Sequence, residues 1–137
     1  SWFQRSTALA VLKEAAREGL TVIFTTDHGS IHCKHPTTVY ARKDVTDNLR
    51  YKFGGDLRAE DPSAAFATRT SSDLRLPEGQ LGTSYLIALD DHFFVYPTKL
   101  REYQARYKGS FLHGGVSPEE MIVPVVRLTP RGSRPAP

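Results

Sequence analysis

The run Leu20-Thr21-Val22-Ile23-Phe24-Thr25 constrains the fold more than any other stretch of this chain. It is apolar and β-branched and lacks the polar alternation of a strand with one wet face. It therefore predicts a strand covered on both sides, as inner parallel strands are. Just before it, Ser6 to Glu18 reads as an amphipathic helix. Ser6 or Thr7 can cap it, Leu9, Leu12 and Ala16 share one face, and Gly19 suits the left-handed position that follows a helix. A helix followed by a buried strand is one αβ unit of a doubly wound sheet, so the expected class is α/β. Open sheets of this kind bind ligands beyond the carboxyl ends of their strands, and Thr26-Asp27-His28-Gly29 occupies that position here.

Further along, Thr38 to Ala41 is a short strand candidate. Asp44 to Arg69 is a long polar stretch with turn signals at Gly54-Gly55 and Asp61-Pro62; a loop of that length is uncommon unless functional. Thr83 to Leu89 and His92 to Tyr96 flank the acidic pair Asp90-Asp91 and predict a β-hairpin. Thr98 to Tyr107 favours helix, with Leu100, Tyr103 and Tyr107 on one face and Gly109 as its end. Phe111 to Gly115 then reads as a loop. Ser117-Pro118-Glu119-Glu120 is a helix start, with Ser as N-cap, Pro at N1 and Glu at N3. Pro124 keeps that helix short, and Ile122 to Leu128 turns into a strand that proline confines to an edge or to its first residues. From Thr129 on there is no apolar periodicity, and residues 131–137 are expected to be a disordered tail or linker.

Composition narrows the partners. With 39% hydrophobic and 24% charged residues the chain can build a core, which excludes a disordered polymer. The net charge of +3 includes Arg131 and Arg134 of the terminal segment, so the body is close to neutral and global charge does not point to nucleic acid. A local excess remains from Lys34 to Arg58, where Lys34, Arg42, Lys43, Arg50, Lys52 and Arg58 face only Asp44, Asp47 and Asp56. The single cysteine, Cys33, excludes an internal disulfide and fits a reducing, cytoplasmic compartment. No apolar run approaches the roughly 20 residues that cross a bilayer, so no membrane partner is expected.

Several residues offer chemistry. Asp27 and His28 place a hard oxygen beside an imidazole where a strand ends. Neighbours in an extended segment point opposite ways, so they can serve one metal only if the backbone turns there, or each can face a different ion; a turn Asp beside a surface His gives the same dipeptide. His113 precedes Gly114-Gly115, glycines that allow a backbone or ligand to approach closely. His28 and His32 have the spacing of two zinc ligands on a helix, but Pro36 and β-branched flanks argue against a helix. His35 stands with His32 as a further metal-ligand candidate under the same objection, and His92 reads as structural. Arg50 and Tyr51, within Asn48-Leu49-Arg50-Tyr51-Lys52-Phe53-Gly54-Gly55, combine a cation suited to phosphate with an aromatic ring; a solvated strand edge would look alike. Cys33 reads as a small buried residue.

Taken together, Val22 to Gly29 and His113-Gly114-Gly115-Val116-Ser117-Pro118-Glu119-Glu120-Met121-Ile122-Val123-Pro124 resemble the C-terminal part of the PglZ domain, a branch of the alkaline phosphatase superfamily. Asn48 to Lys52 and Phe93 to Pro97 are similar to the PorX-type subgroup, in which a response-regulator receiver domain precedes the PglZ domain. The likeness spans residues 1–130. It implies the C-terminal portion of an alkaline-phosphatase-like mixed or parallel sheet flanked by helices. It also implies a zinc-dependent phosphohydrolase with two Zn2+ ions, for which Asp27, His28 and His113 match metal ligands. By the same resemblance the substrate is a phosphodiester or nucleotide, such as an oligonucleotide or cyclic nucleotide, with Arg50 and Tyr51 on the substrate side. The partners it implies are the N-terminal remainder of the domain, a receiver domain and a homodimer of the parent.

The superfamily's Thr or Ser nucleophile and its early metal ligands lie before the strand that ends in Asp-His, and no such set stands among the residues ahead of Asp27. No catalytic nucleophile is therefore assigned. The expectation is roughly the last third of a larger domain, inactive by itself. The competing readings are a non-catalytic nucleotide-binding or protein-interaction module of a signalling protein, and a single-metal hydrolase using His28 and His32.

Overall fold

A computed structural model describes residues 1–41, 45–76 and 83–131. Its helices are α1 (Thr7–Arg17), α2 (Leu100–Tyr107) and α3 (Pro118–Met121). Its strands are β1 (Val22–Phe24), β2 (Ile31–Cys33), β3 (His35–Tyr40), β4 (Tyr51–Gly55), β5 (Arg58–Ala59), β6 (Ala65–Thr68), β7 (Thr83–Ala88), β8 (His92–Val95), β9 (Ser110–Leu112) and β10 (Val126–Leu128). They are distributed over two compact units, one built from Ser1–Asp27 and Val123–Pro137, the other from His28–Ile122.

In the first unit, Ser6 caps α1 by accepting the Leu9 N–H, and Gly19 takes the expected left-handed conformation with φ at 70°. Leu12 and Ala16 of α1 line a shallow recess with Leu20, Val22 and Leu128. The first strand departs from expectation. It is not an inner parallel strand but pairs antiparallel with β10, Val22 opposite Leu128 and Phe24 opposite Val126. Ile23 and Phe24 remain more than half exposed, because a partner strand of three residues covers one edge and no layer closes on both faces among the described residues.

The second unit carries the core. β5, β3 and β8 form one sheet, parallel between β3 and β8 and antiparallel between β3 and β5, while β4, β7 and β6 form an antiparallel sheet. β7 and β8 are both buried on their two faces, and β8 links the two apolar clusters. Phe94 joins Val39, Ala59, Ala65, Leu86 and Ala88 on one side, and Phe93 and Val95 join Cys33 on the other. Side chains along a strand alternate faces, so three consecutive apolar residues feed two clusters. The second cluster is closed by Leu100, Tyr103 and Tyr107, the face foreseen for α2.

Other expectations change. The segment from Asp44 to Arg69 is not a loop, because its described part contains β4, β5 and β6. The predicted hairpin does not form: β7 is a central strand whose edges are taken by β4 and β6, so β8 pairs with β3 instead. Ser110 to Leu112, in part assigned to a loop, is β9 paired with β2. The helix start at Ser117 stands where the sequence put it, while the strand expected from Ile122 to Leu128 is shorter and begins only at Val126. Arg42, Lys43 and Asp44 of the charged stretch, and residues 132–137 of the expected tail, lie outside the described residues. Among the described residues no helix is long and apolar enough to cross a membrane.

Candidate functional site

Antiparallel pairing of β2 with β9 sets Ile31 opposite Leu112. His28 lies just ahead of β2 and His113 directly after β9, so this register delivers both to the same end of the ribbon. Their rings stack with centroids 3.8 Å apart and planes inclined by 17°. His28 Nδ1 is 2.8 Å from the Gly29 carbonyl oxygen. A carbonyl only accepts, so Nδ1 carries the proton of this contact. Asp27 belongs to the first unit, is exposed and accepts a hydrogen bond from Thr26 Oγ1 at 3.3 Å.

Behind the two histidines lies a buried ion pair that the sequence did not announce. Arg50 Nε donates to Glu120 Oε1 at 3.0 Å and Nη2 to Oε2 at 2.8 Å, with side-chain exposures of 0% and 2%. Arg50 Nη1 donates to the His92 carbonyl. The Glu120 carboxylate also accepts from Gly115 N at 2.8 Å and from Ser117 N at 3.2 Å. Burial alone would raise the Glu120 pKa, but the Arg50 hydrogen bonds, the Gly115 and Ser117 donors and the Arg50 charge outweigh it and hold it at about 2. Asn48 accepts from the Arg50 and Tyr51 amides through Oδ1.

The glycines of the two histidine loops are fitted to this pair. A Cβ on Gly115 would meet Glu120 Oε2 at 2.6 Å and Arg50 Nη2 at 2.8 Å. On Gly114, whose φ is 108°, it would meet the Asn48 amide at 2.8 Å. On Gly29 it would fall 1.9 Å from the Glu119 carbonyl oxygen, because Gly29 N donates to the Glu120 carbonyl at 2.9 Å. The expected close approach at Gly114-Gly115 is real, and it is made by side chains of the protein itself.

Arg50 and Tyr51, the two residues expected on the substrate side, lie in different settings. The Arg50 guanidinium has no exposed surface and is committed to Glu120 and to the His92 carbonyl. Tyr51 follows on β4 opposite Ile87, half-buried, with its ring stacked over Phe53. His32 lies on strand β2, and its Nε2 is 2.9 Å from the Gly109 carbonyl oxygen, away from helical spacing with His28. His35 pairs with Asp91 at 2.7 Å, and His92 Nδ1 faces the Leu89 carbonyl. Cys33 is fully buried, and burial pushes its thiol pKa up. Among the described residues no group of three or more His, Cys, Asp or Glu side chains is placed to hold a metal ion.

A mixed α/β architecture does not define the class by itself; one family model supplies it, and the class is alkaline-phosphatase-like. The chain belongs to the PglZ family: residues 6–128 match the BREX system PglZ alkaline phosphatase-like domain. Asp27, His28, Arg50, Tyr51 and His113 all fall inside the match. No curated protein matches the chain.

Proposed function

We propose that this chain is the C-terminal segment of a PglZ domain that hydrolyses phosphodiesters with two zinc ions, and that Asp27, His28 and His113 are its contribution to the metal ligands. The observation that carries the reading is the convergence of His28 and His113, with the His28 Nδ1 proton held by a backbone carbonyl. Imidazole ligands of zinc characteristically donate their second nitrogen in this way, leaving the other to the metal. His28 and His113 are therefore donors of the kind zinc takes, and with Asp27 they are a partial set: two four-coordinate ions take more ligands than these residues offer, and the remainder is assigned to the rest of the domain.

Zinc, when bound, polarises a phosphoryl oxygen and activates the attacking group. The chain's own residues have other tasks. His28 presents Nε2 while Nδ1 donates to the Gly29 carbonyl, His113 holds its ring against that of His28, and Asp27 supplies a carboxylate next to His28 in sequence. Arg50 supports this end of the fold from behind. Tyr51 stays in the reading as an aromatic contact for a nucleotide, oligonucleotide or cyclic nucleotide substrate. A cytoplasmic parent with a receiver domain, working in two-component signalling and able to form a homodimer, belongs to the same reading.

The test is metal analysis and turnover of a chromogenic phosphodiester in a protein carrying the complete PglZ domain. Bound zinc that falls on His28→Ala or His113→Ala, with turnover lost in parallel, is the expected result. Zinc content and turnover indifferent to both substitutions would sink the assignment. Loss of metal on His32→Ala but not on His113→Ala would transfer it to a single-metal site.

A further inference from the structure

We propose that Glu120, held by Arg50, is the positioning residue that sets the His28 and His113 rings against each other. One residue reaches both loops. Its backbone carbonyl accepts from Gly29 N, next to His28, and its carboxylate accepts from Gly115 N, two residues after His113. Arg50 fixes that carboxylate through two hydrogen bonds, and Ser117 N occupies a further position on it. At all three glycines an added Cβ would collide with Glu119, Glu120, Arg50 or Asn48, so both loops lie directly against these groups. The two loops are therefore indexed to one short helix, α3, and through Arg50 to the start of β4.

A purely structural ion pair predicts something different. Buried pairs can be replaced by apolar residues of similar volume with little loss, or even a gain, of stability. Such a replacement keeps the fold but removes the acceptor for Gly115 N and Ser117 N. The double variant Arg50→Met, Glu120→Leu thus separates holding the fold together from setting the rings.

The experiment is histidine-selective 15N and 13C NMR of the metal-free protein, with urea unfolding alongside. The expected result is that the double variant keeps a cooperative unfolding transition while the His28 and His113 ring resonances move and the His28 Nδ1–H pattern is lost. Ring resonances of both histidines unchanged in the double variant would overturn the proposal. Gly115→Ala provides a second route if the double variant does not fold, since its Cβ pushes on the carboxylate without removing a charge. Ring resonances shifted in Gly115→Ala support the indexing, and unshifted ones reject it.

The proposal deepens the zinc reading, and its failure can be told apart from that reading's. In the complete domain the zinc affinity of Glu120→Gln is expected to fall about 10–100-fold, the usual effect of losing a group that orients a ligand. A protein that binds no zinc at all but shows the ring shifts would reject the metal site and keep Glu120 as the positioning residue.

Discussion

The Glu120 carboxylate accepts from Arg50 Nε and Nη2, Gly115 N and Ser117 N, and the consequence is a pH dependence with a definite direction. Its pKa, ordinarily 4.5, is held at about 2 in the folded chain. Because the folded value is the lower one, its contribution to stability is complete above pH 4.5 and disappears as the pH falls toward 2, where folded and unfolded forms are both protonated. The expected loss is on the order of 3 kcal/mol, read as a fall in the urea midpoint between pH 5 and pH 2. Glu120→Gln should flatten that part of the profile, and a wild-type profile that does not differ from the variant's would remove the charge from the account. Glu120 was visible in the sequence only as an N3 capping residue. Its partner lies 70 positions away, and no local pattern announces so distant an ion pair. Arg50 was noticed for its chemistry, but its pairing with Glu120 was not, for the same reason.

Among the elements, the legible ones are those whose signals are local. α1 has its cap and its left-handed glycine, α3 has Ser-Pro-Glu-Glu, and α2 shows its apolar face within two turns. β4 was illegible because its pattern is inverted: Lys52 is buried and Phe53 exposed. The lysine is accommodated by the Thr46 carbonyl, 2.6 Å from Nζ, and by the face of Tyr96, and burial lowers its pKa to about 8. β8 misled differently, since its apolar run has the appearance of a hairpin arm while its ladder runs to β3. Glycine substitutions make the element scale testable. Gly19→Ala meets open space and carries only the left-handed backbone penalty, about 1 kcal/mol. Gly29→Ala must displace the backbone of α3 and is expected to cost more than about 2 kcal/mol. Comparable losses in the two, measured by chemical denaturation, would contradict the tight seat of Gly29 on Glu119.

For the whole molecule, both core clusters lie within His28–Ile122. A chain limited to those residues is expected to keep a cooperative unfolding transition and dispersed amide resonances; a collapsed spectrum would show that the unit relies on the flanking residues. The αβ class was readable, because helix and strand signals are written in adjacent residues, whereas the approach of His28 to His113 follows from the β2–β9 pairing. The sheet partners of β1 were not readable either, since pairing over such a separation leaves no trace in either strand.

That separation has a kinetic side. Thr25 bonds to Pro124 across 99 positions, and the β1–β10 ladder spans a similar gap. At the ~5–20 residues per second of protein synthesis, β1 waits on the order of 5–20 s for its mate, with Ile23 and Phe24 open to whatever meets the growing chain. For that interval the segment leading to Asp27 has no strand partner, and the second unit has time to fold ahead of the first.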